Sequence, residues 1–285
     1  MRLALLVALT MVAFAANSLL NRAALLDPGT GPAAFAALRI VSGATCLAAL
    51  ALWTTGLPVL SGRRRLIGTA SLSAYMLGFS FAYTALAAGT GALILFGGVQ
   101  ITMFAGALAL GERPAPARWL GSAAALTGLA WLLLPGASGA PSVLPALSMA
   151  VAAVGWGVYS LNGRGVARPL AETAANFLLA APVALAAWLI VLDGLTAKGA
   201  GLAVLSGAVT SGLGYALWYT VLPRLDASVA ALTQLTVPVI ALLGGAALLG
   251  EVPDARLIVA SAVVLGGVAF GVLGGRQRTA SSRGS

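Results

Sequence analysis

Histidine is absent from the 285 residues, cysteine occurs once, and aspartate and glutamate together number seven. Each scarcity removes a class of chemistry. Without histidine, and with the acids scattered singly, no cluster has the spacing of a metal site, and no Ser–His pair exists for nucleophilic catalysis. Neither an enzyme nor a cofactor is therefore expected. Cys46 alone, inside an apolar run, excludes an intramolecular disulfide. Charged residues make up 8% of the chain, where a soluble domain needs roughly 25% to solvate its surface. A water-soluble globule is excluded.

What the chain has instead is apolar length: 60% hydrophobic residues and a mean hydropathy of +1.00. The reading is an integral membrane protein, all-α because strand alternation is missing. A helix needs about 20 apolar residues to cross roughly 30 Å of hydrocarbon. Breaks at Pro, Gly and charge clusters give ten such segments, near Leu3–Leu25, Ala33–Trp53, Leu66–Ala87, Thr90–Leu110, Arg118–Leu134, Pro145–Leu161, Leu170–Leu192, Gly199–Leu222, Ala227–Leu249 and Arg256–Gly274. The first imitates a signal peptide, with Ala13-Phe14-Ala15 as a small-x-small site, but its apolar pattern continues to Leu26 and is read as an uncleaved span.

The net charge of +9 is distributed as a topology signal rather than as a nucleic-acid patch. With the N-terminus cytoplasmic, Arg2, Arg63, Arg64, Arg65, Arg113, Arg118, Arg164, Arg168, Arg224, Arg276, Arg278 and Arg283 lie inside. Only Arg22, Lys198 and Arg256 fall in outer loops. Both termini are placed in the cytoplasm.

The chain also contains itself twice. "GALALGERP" (Gly106–Pro114) aligns with "GAALLGEVP" (Gly245–Pro253), and "FAYTAL" (Phe81–Leu86) with "LWYTVL" (Leu217–Leu222). Residues 1–138 and 139–275 thus read as two five-helix repeats, with 276–285 a disordered cytoplasmic tail. An odd helix count inverts the second copy across the bilayer, a recurrent transporter plan.

Ten helices in two halves, with "LGERP" and "LGEVP" closing the fourth helix of each, resemble the EamA-domain branch of the drug/metabolite transporter superfamily. Within it the chain is most similar to the YddG-type inner-membrane amino-acid exporters. The resemblance implies export of amino acids and related small metabolites, with broad selectivity that often includes aromatic ones.

Candidate substrate residues follow the helix period. Tyr75, Phe79 and Tyr83 form one stripe on the third helix, and Tyr215, Trp218 and Tyr219 share a face of the eighth. Tyr and Trp offer an apolar body with a polar handle, although packing or an interfacial belt would also use them. Asn17, Trp156 and Tyr159 are added from the first and sixth helices, and Gln100 and Gln234 from the fourth and ninth. Gly97-Gly98 and Pro238 interrupt the fourth and ninth helices at matching places and mark a binding region with gating backbone breaks; close helix packing is the competing reading. Asn21 and Asn162 approach the membrane surface as solvated residues. Arg39 lies near the outer side, where its stem can snorkel to the interface or meet a carboxylate at the outer mouth. Glu112 and Glu251 read as helix-capping acids.

All seven acids fall at predicted helix ends or in loops, so a facilitative carrier working by alternating access is favoured over a proton-coupled efflux carrier. A passive channel is the other alternative. The partners expected are a small-molecule substrate and membrane lipid, without nucleic acid, in an assembly compatible with a monomer.

Overall fold

The computed structural model describes residues 2–54, 56, 60–109, 111, 114–134, 141–163, 166–221, 224–225 and 233–281, excepting the side chains of 219 and 275–281. Long Ala/Leu-rich runs become helices because in hydrocarbon every backbone N–H and C=O must be satisfied within its own segment. They are α1 (Arg2–Leu25), α2 (Pro32–Thr54), α3 (Arg63–Ala82), α4 (Ala88–Ala109), α5 (Pro116–Leu133), α6 (Val143–Gly163) and α7 (Pro169–Val191). The eighth, α8, is continuous in three pieces: α-helical Ala197–Val204, π-helical Leu205–Leu213 and α-helical Gly214–Val221. Last come α9 (Thr236–Leu249) and α10 (Ala255–Ser281). Among the described residues there is no strand.

Seven of these helices are long and apolar enough to cross a membrane: α1, α2, α4, α6, α7, the α8 run and Ala255–Gly274 of α10. The other three fall short for separate reasons. α9 has 14 residues; α3 opens on Arg63–Arg65 and carries Thr69, Ser71, Ser73 and Ser80; α5 has 18 residues and includes Pro116 and Arg118. The outer surface of the bundle is apolar, with Ile190 83% and Leu144 75% exposed. Water would reject such a surface, whereas lipid accepts it. This is a multi-pass membrane protein.

α5 pairs along α10 at one flank and α2 along α7 at the other. Between them α3 packs on α6 and α8 on α1, while α4 touches α6, α9 and α5. Small residues set the close crossings. A Cβ on Gly121 would stand 2.4 Å from the Gly267 carbonyl oxygen, so α5 and α10 meet backbone to backbone.

Two expectations change here. α10 stays helical through Ser281, past Gly275 where a disordered tail was expected; Arg276, Gln277, Arg278 and Ala280 are sound helix formers that carry it on. Gly97-Gly98 does not interrupt α4, which is continuous through both. A Cβ on Gly98 would lie 2.7 Å from Ala153 Cβ, and one on Gly97 3.0 Å from Val264 Cγ1. Their missing side chains admit α6 and α10, so close packing replaces the backbone break. Nor does Pro238 interrupt its helix: the break lies three residues earlier, where residues 233–234 are helical, Leu235 is a turn, and α9 starts at Thr236. Pro238 thereby occupies the first turn, where a missing N–H costs nothing.

Candidate substrate-binding site

The bundle centre is aromatic. Phe14 on α1, Tyr75 on α3, Trp156 on α6 and Tyr215 on α8 converge there from helices distant in sequence. Trp156 stands 4.9 Å from Tyr75 and 5.1 Å from Tyr215, ring centre to ring centre. Phe14 meets Tyr215 edge-on at 5.8 Å and Trp218 at 5.9 Å. Edge-to-face pairs of this kind are worth about 1 kcal/mol each beyond burial, and they hold the rings as a box. Asn17, Tyr75, Trp156 and Tyr215, with Phe14, Leu95 and Phe96, line a narrow central pocket. It has room for about one water molecule.

Trp156 also belongs to a second, larger cavity. Gln100, Trp218 and Gln234 join it there with Phe104, Arg118 and Ser160, around roughly 1210 Å³ of empty space including its open mouth. This vestibule opens at the end of the bundle where α5 begins. Its blind end is formed by Trp156 and Trp218, which are 8% and 7% exposed. The indoles therefore separate an open vestibule from a closed central pocket.

Of the remaining sequence candidates, Tyr159 stacks under Trp156 at 5.6 Å and donates toward Thr173. Phe79 lies between Tyr75 and Tyr83 in the α3 stripe. Tyr83 is fully buried, its hydroxyl donating to the Ala88 carbonyl at 3.3 Å and its ring packed on Gly91. It plugs the far end of the bundle and lines neither cavity. The Tyr219 side chain lies outside the described residues, as does Glu112.

Polar residues form a second strand of the site. The π-helical turn of α8 presents Ser206, Thr210 and Ser211 together to Asn17, whose Oδ1 accepts from Ser206 Oγ at 2.9 Å and Ser211 Oγ at 3.3 Å. A π turn brings i and i+5 into register, which is how Ser206 and Ser211 reach one amide. Ser211 in turn accepts from Arg39 Nη2 at 3.3 Å. Asn21, expected at the surface, is fully buried and receives Ser80 Oγ at 2.9 Å.

Arg39 overturns the snorkelling expectation. It is 0% exposed, with its guanidinium 4.9 Å over the Phe79 ring and 5.9 Å from that of Tyr75. α7 and α8 cover α2 where an isolated helix would have faced lipid and headgroups. Burying a cation costs several kcal/mol even after the protein relaxes.

The end of the bundle opposite the vestibule is closed by contacts between distant loops. Asp193 after α7 caps α2, its Oδ2 and Oδ1 accepting from the Ala33 and Ala34 N–H groups at 2.8 Å each. Thr196 donates to Asp27 Oδ2 at 2.7 Å and shares a 2.8 Å contact with Thr30. The Thr196 hydroxyl, and next the Gly29 N–H, hold the Asp27 carboxyl below its ordinary pKa of 3.8. Glu251 caps too, but the helix it caps is α4 rather than the one that follows it: Oε2 accepts from Ala88 N–H at 2.8 Å and Oε1 pairs with Arg22 at 3.2 Å. Asp254 caps α10 through Leu257 N–H.

Sequence reasoning missed Phe14, Phe96 and the Ser206/Thr210/Ser211 set. The crowding of Ser, Thr and Gly in "LSGAVTSGLGY" (Leu205–Tyr215) was the available signal for the last of these.

A helical bundle with lipid-accepting walls and a central, half-closed cavity defines a membrane solute transporter. A model of the EamA-like transporter family matches residues 143–273. A Pseudomonas aeruginosa protein named "Uncharacterized protein PA1977" is 49% identical over 271 residues, which is 94% of each chain. A crystal structure 24% identical in sequence superposes with a TM-score of 0.68, over 96% of this chain and 98% of its own; at that identity it speaks for the fold alone. Residues 143–273 of the chain thus form an EamA-like transporter family domain.

Proposed function

We propose that this protein exports amino acids and related small metabolites across a bacterial inner membrane, as a facilitative carrier with an aromatic substrate site. Ten spans form two inverted five-helix repeats, 1–138 and 139–275, with both termini cytoplasmic. Alternating access follows, because two similar halves can exchange conformations around one site.

The observation that carries the reading is the pairing of an open vestibule ending on Trp156 and Trp218 with a sealed opposite end. The vestibule opens beside Arg118, on the arginine-rich side, so this is the cytoplasm-facing state. Packing supports the repeats: α3 on α6 has its counterpart in α8 on α1, and α4 on α6 in α9 on α1, while α2–α7, α4–α9 and α5–α10 are self-paired. Halves related by a twofold axis produce that pattern. A facilitative mechanism is favoured by where the described acids lie. Asp27, Glu172, Asp193, Glu251 and Asp254 sit at helix ends or in loops, and none lines the central pocket.

Counterflow of labelled tryptophan, phenylalanine and leucine in proteoliposomes tests the reading. Saturable exchange is expected, and Trp156→Ala raises the KM for the aromatic amino acids by about tenfold, roughly the value of one ring contact between the indole and the substrate. Linear, non-saturating flux would point to a channel, and uphill accumulation driven by a pH gradient alone would refute facilitation.

A further inference from the structure

The arginines buried in this bundle are treated in two ways. Arg65, 6% exposed, pairs with Glu172 at 2.7 Å and donates to Asn176 Oδ1. Arg256, 8% exposed, donates to the carbonyl oxygens of Trp131 and Leu134. Even the half-buried Arg22 has Glu251. Arg39 is the most buried of them and has none of this. Among the described residues no carboxylate lies within salt-bridge reach of it, and its Nε and Nη1 have no hydrogen-bond acceptor. Asp193 caps α2 at Ala33, about 9 Å along the helix from Arg39 at 1.5 Å per residue. What surrounds the guanidinium is π-electron density from Phe79 and Tyr75 and one serine hydroxyl. Such an aromatic rest holds a cation in place without neutralising it.

The position matters as much as the unused donors. Tyr75 is shared between Arg39 and the central pocket, and Ser211 links Arg39 to Asn17, another wall of that pocket. A solute entering past Trp156 meets the aromatic box first and the guanidinium behind it.

We infer that Arg39 is the anion subsite of this carrier, accepting the carboxylate of the substrate on its free N–H groups. The inference rests on the transport reading above and narrows it to solutes bearing a carboxylate. Arginine suits the task because its planar fork matches two carboxylate oxygens and it keeps its charge when buried. A single cation neutralises one negative charge, so a monoanionic carboxylate fits and a phosphate dianion does not. Substrates then divide by chemistry: tryptophan and indole-3-propionate bind, while tryptamine and tryptophan methyl ester, of nearly the same shape, do not.

The test uses the full-length protein in two formats. In counterflow, excess tryptophan and indole-3-propionate compete with labelled tryptophan, whereas tryptamine and the ester compete at least about tenfold more weakly, the size of one charge-assisted hydrogen bond lost. Arg39→Gln abolishes that discrimination, and Arg39→Lys keeps part of it. Equal competition by tryptamine in the wild type, a result independent of how any variant folds, overturns the subsite. In detergent, the wild-type melting temperature rises with tryptophan or indole-3-propionate but not with tryptamine, and Arg39→Gln loses the rise. Stabilisation obtained in full from chloride alone would make this an inorganic anion site and refute the substrate carboxylate. Should the wild type exchange no amino acid, the transport reading fails, and the melting experiment still decides the subsite in either direction.

Discussion

Asp193→Ala is the sharpest test of the closed end. Its carboxylate accepts two backbone N–H groups of α2 at 2.8 Å, so the variant leaves the α2 N-terminus without a cap. Loss of an N-cap costs about 1 kcal/mol, up to about 2 where, as here, the capping group is charged and partly buried. The cost falls on the sealed state alone if the α1–α2 and α7–α8 loops separate when the outer side opens. About 2 kcal/mol is a shift of roughly thirtyfold in the ratio of outer-open to outer-closed forms, at 1.36 kcal/mol per decade. Ser211→Cys, in a Cys46→Ser background, places a thiol in a fully buried position beneath that seal. Its labelling by an impermeant maleimide added outside should accelerate by that factor when Asp193→Ala is introduced. An unchanged rate with intact protein would refute the seal, because the cap would then persist in both states.

Two other outcomes follow from single distances and charges. A Cβ on Gly207 would stand 2.1 Å from both the Arg39 carbonyl oxygen and Ser42 Oγ; Gly207→Ala should push α8 off α2, costing about 2 kcal/mol by overpacking, read as a lower melting temperature in detergent. Asp27 has a depressed pKa, so its contribution is present above the ordinary carboxylate value and is lost only as pH falls through the lower folded value. External acidification from about pH 7 to about pH 5 should therefore leave maleimide labelling of Ser211→Cys flat once the rate is corrected for the falling thiolate fraction, and a corrected rise centred in that interval would contradict the role given to Asp27.

How much was legible beforehand depends on how far apart the interacting residues lie. The helices could be read because burying a backbone in lipid imposes long apolar segments, a local property. Starts and ends of α1, α2, α6 and α7 came within a few residues for that reason, while the polar start of α3 and the break at Leu235 did not. The aromatic stripe on α3 was visible in its four-residue steps. That its Tyr75 would meet Trp156 and Tyr215, while Tyr83 would instead plug the sealed end, was not.

Arg39 and Glu251 mark the boundary most clearly. On sequence alone, an arginine two turns into a span has lipid headgroups within reach, and an acid before a helix has that helix to cap. Only when α7 and α8 close over α2, and the loop after α9 folds onto α4, do their partners become a pair of aromatic rings and another half's helix terminus. Composition and hydropathic length by themselves determined that this chain is a helical membrane protein, since solvation is paid residue by residue. Which groups face each other across the bundle was decided by tertiary packing, because contacts between residues such as Asn17 and Ser211 leave no periodic trace in either helix.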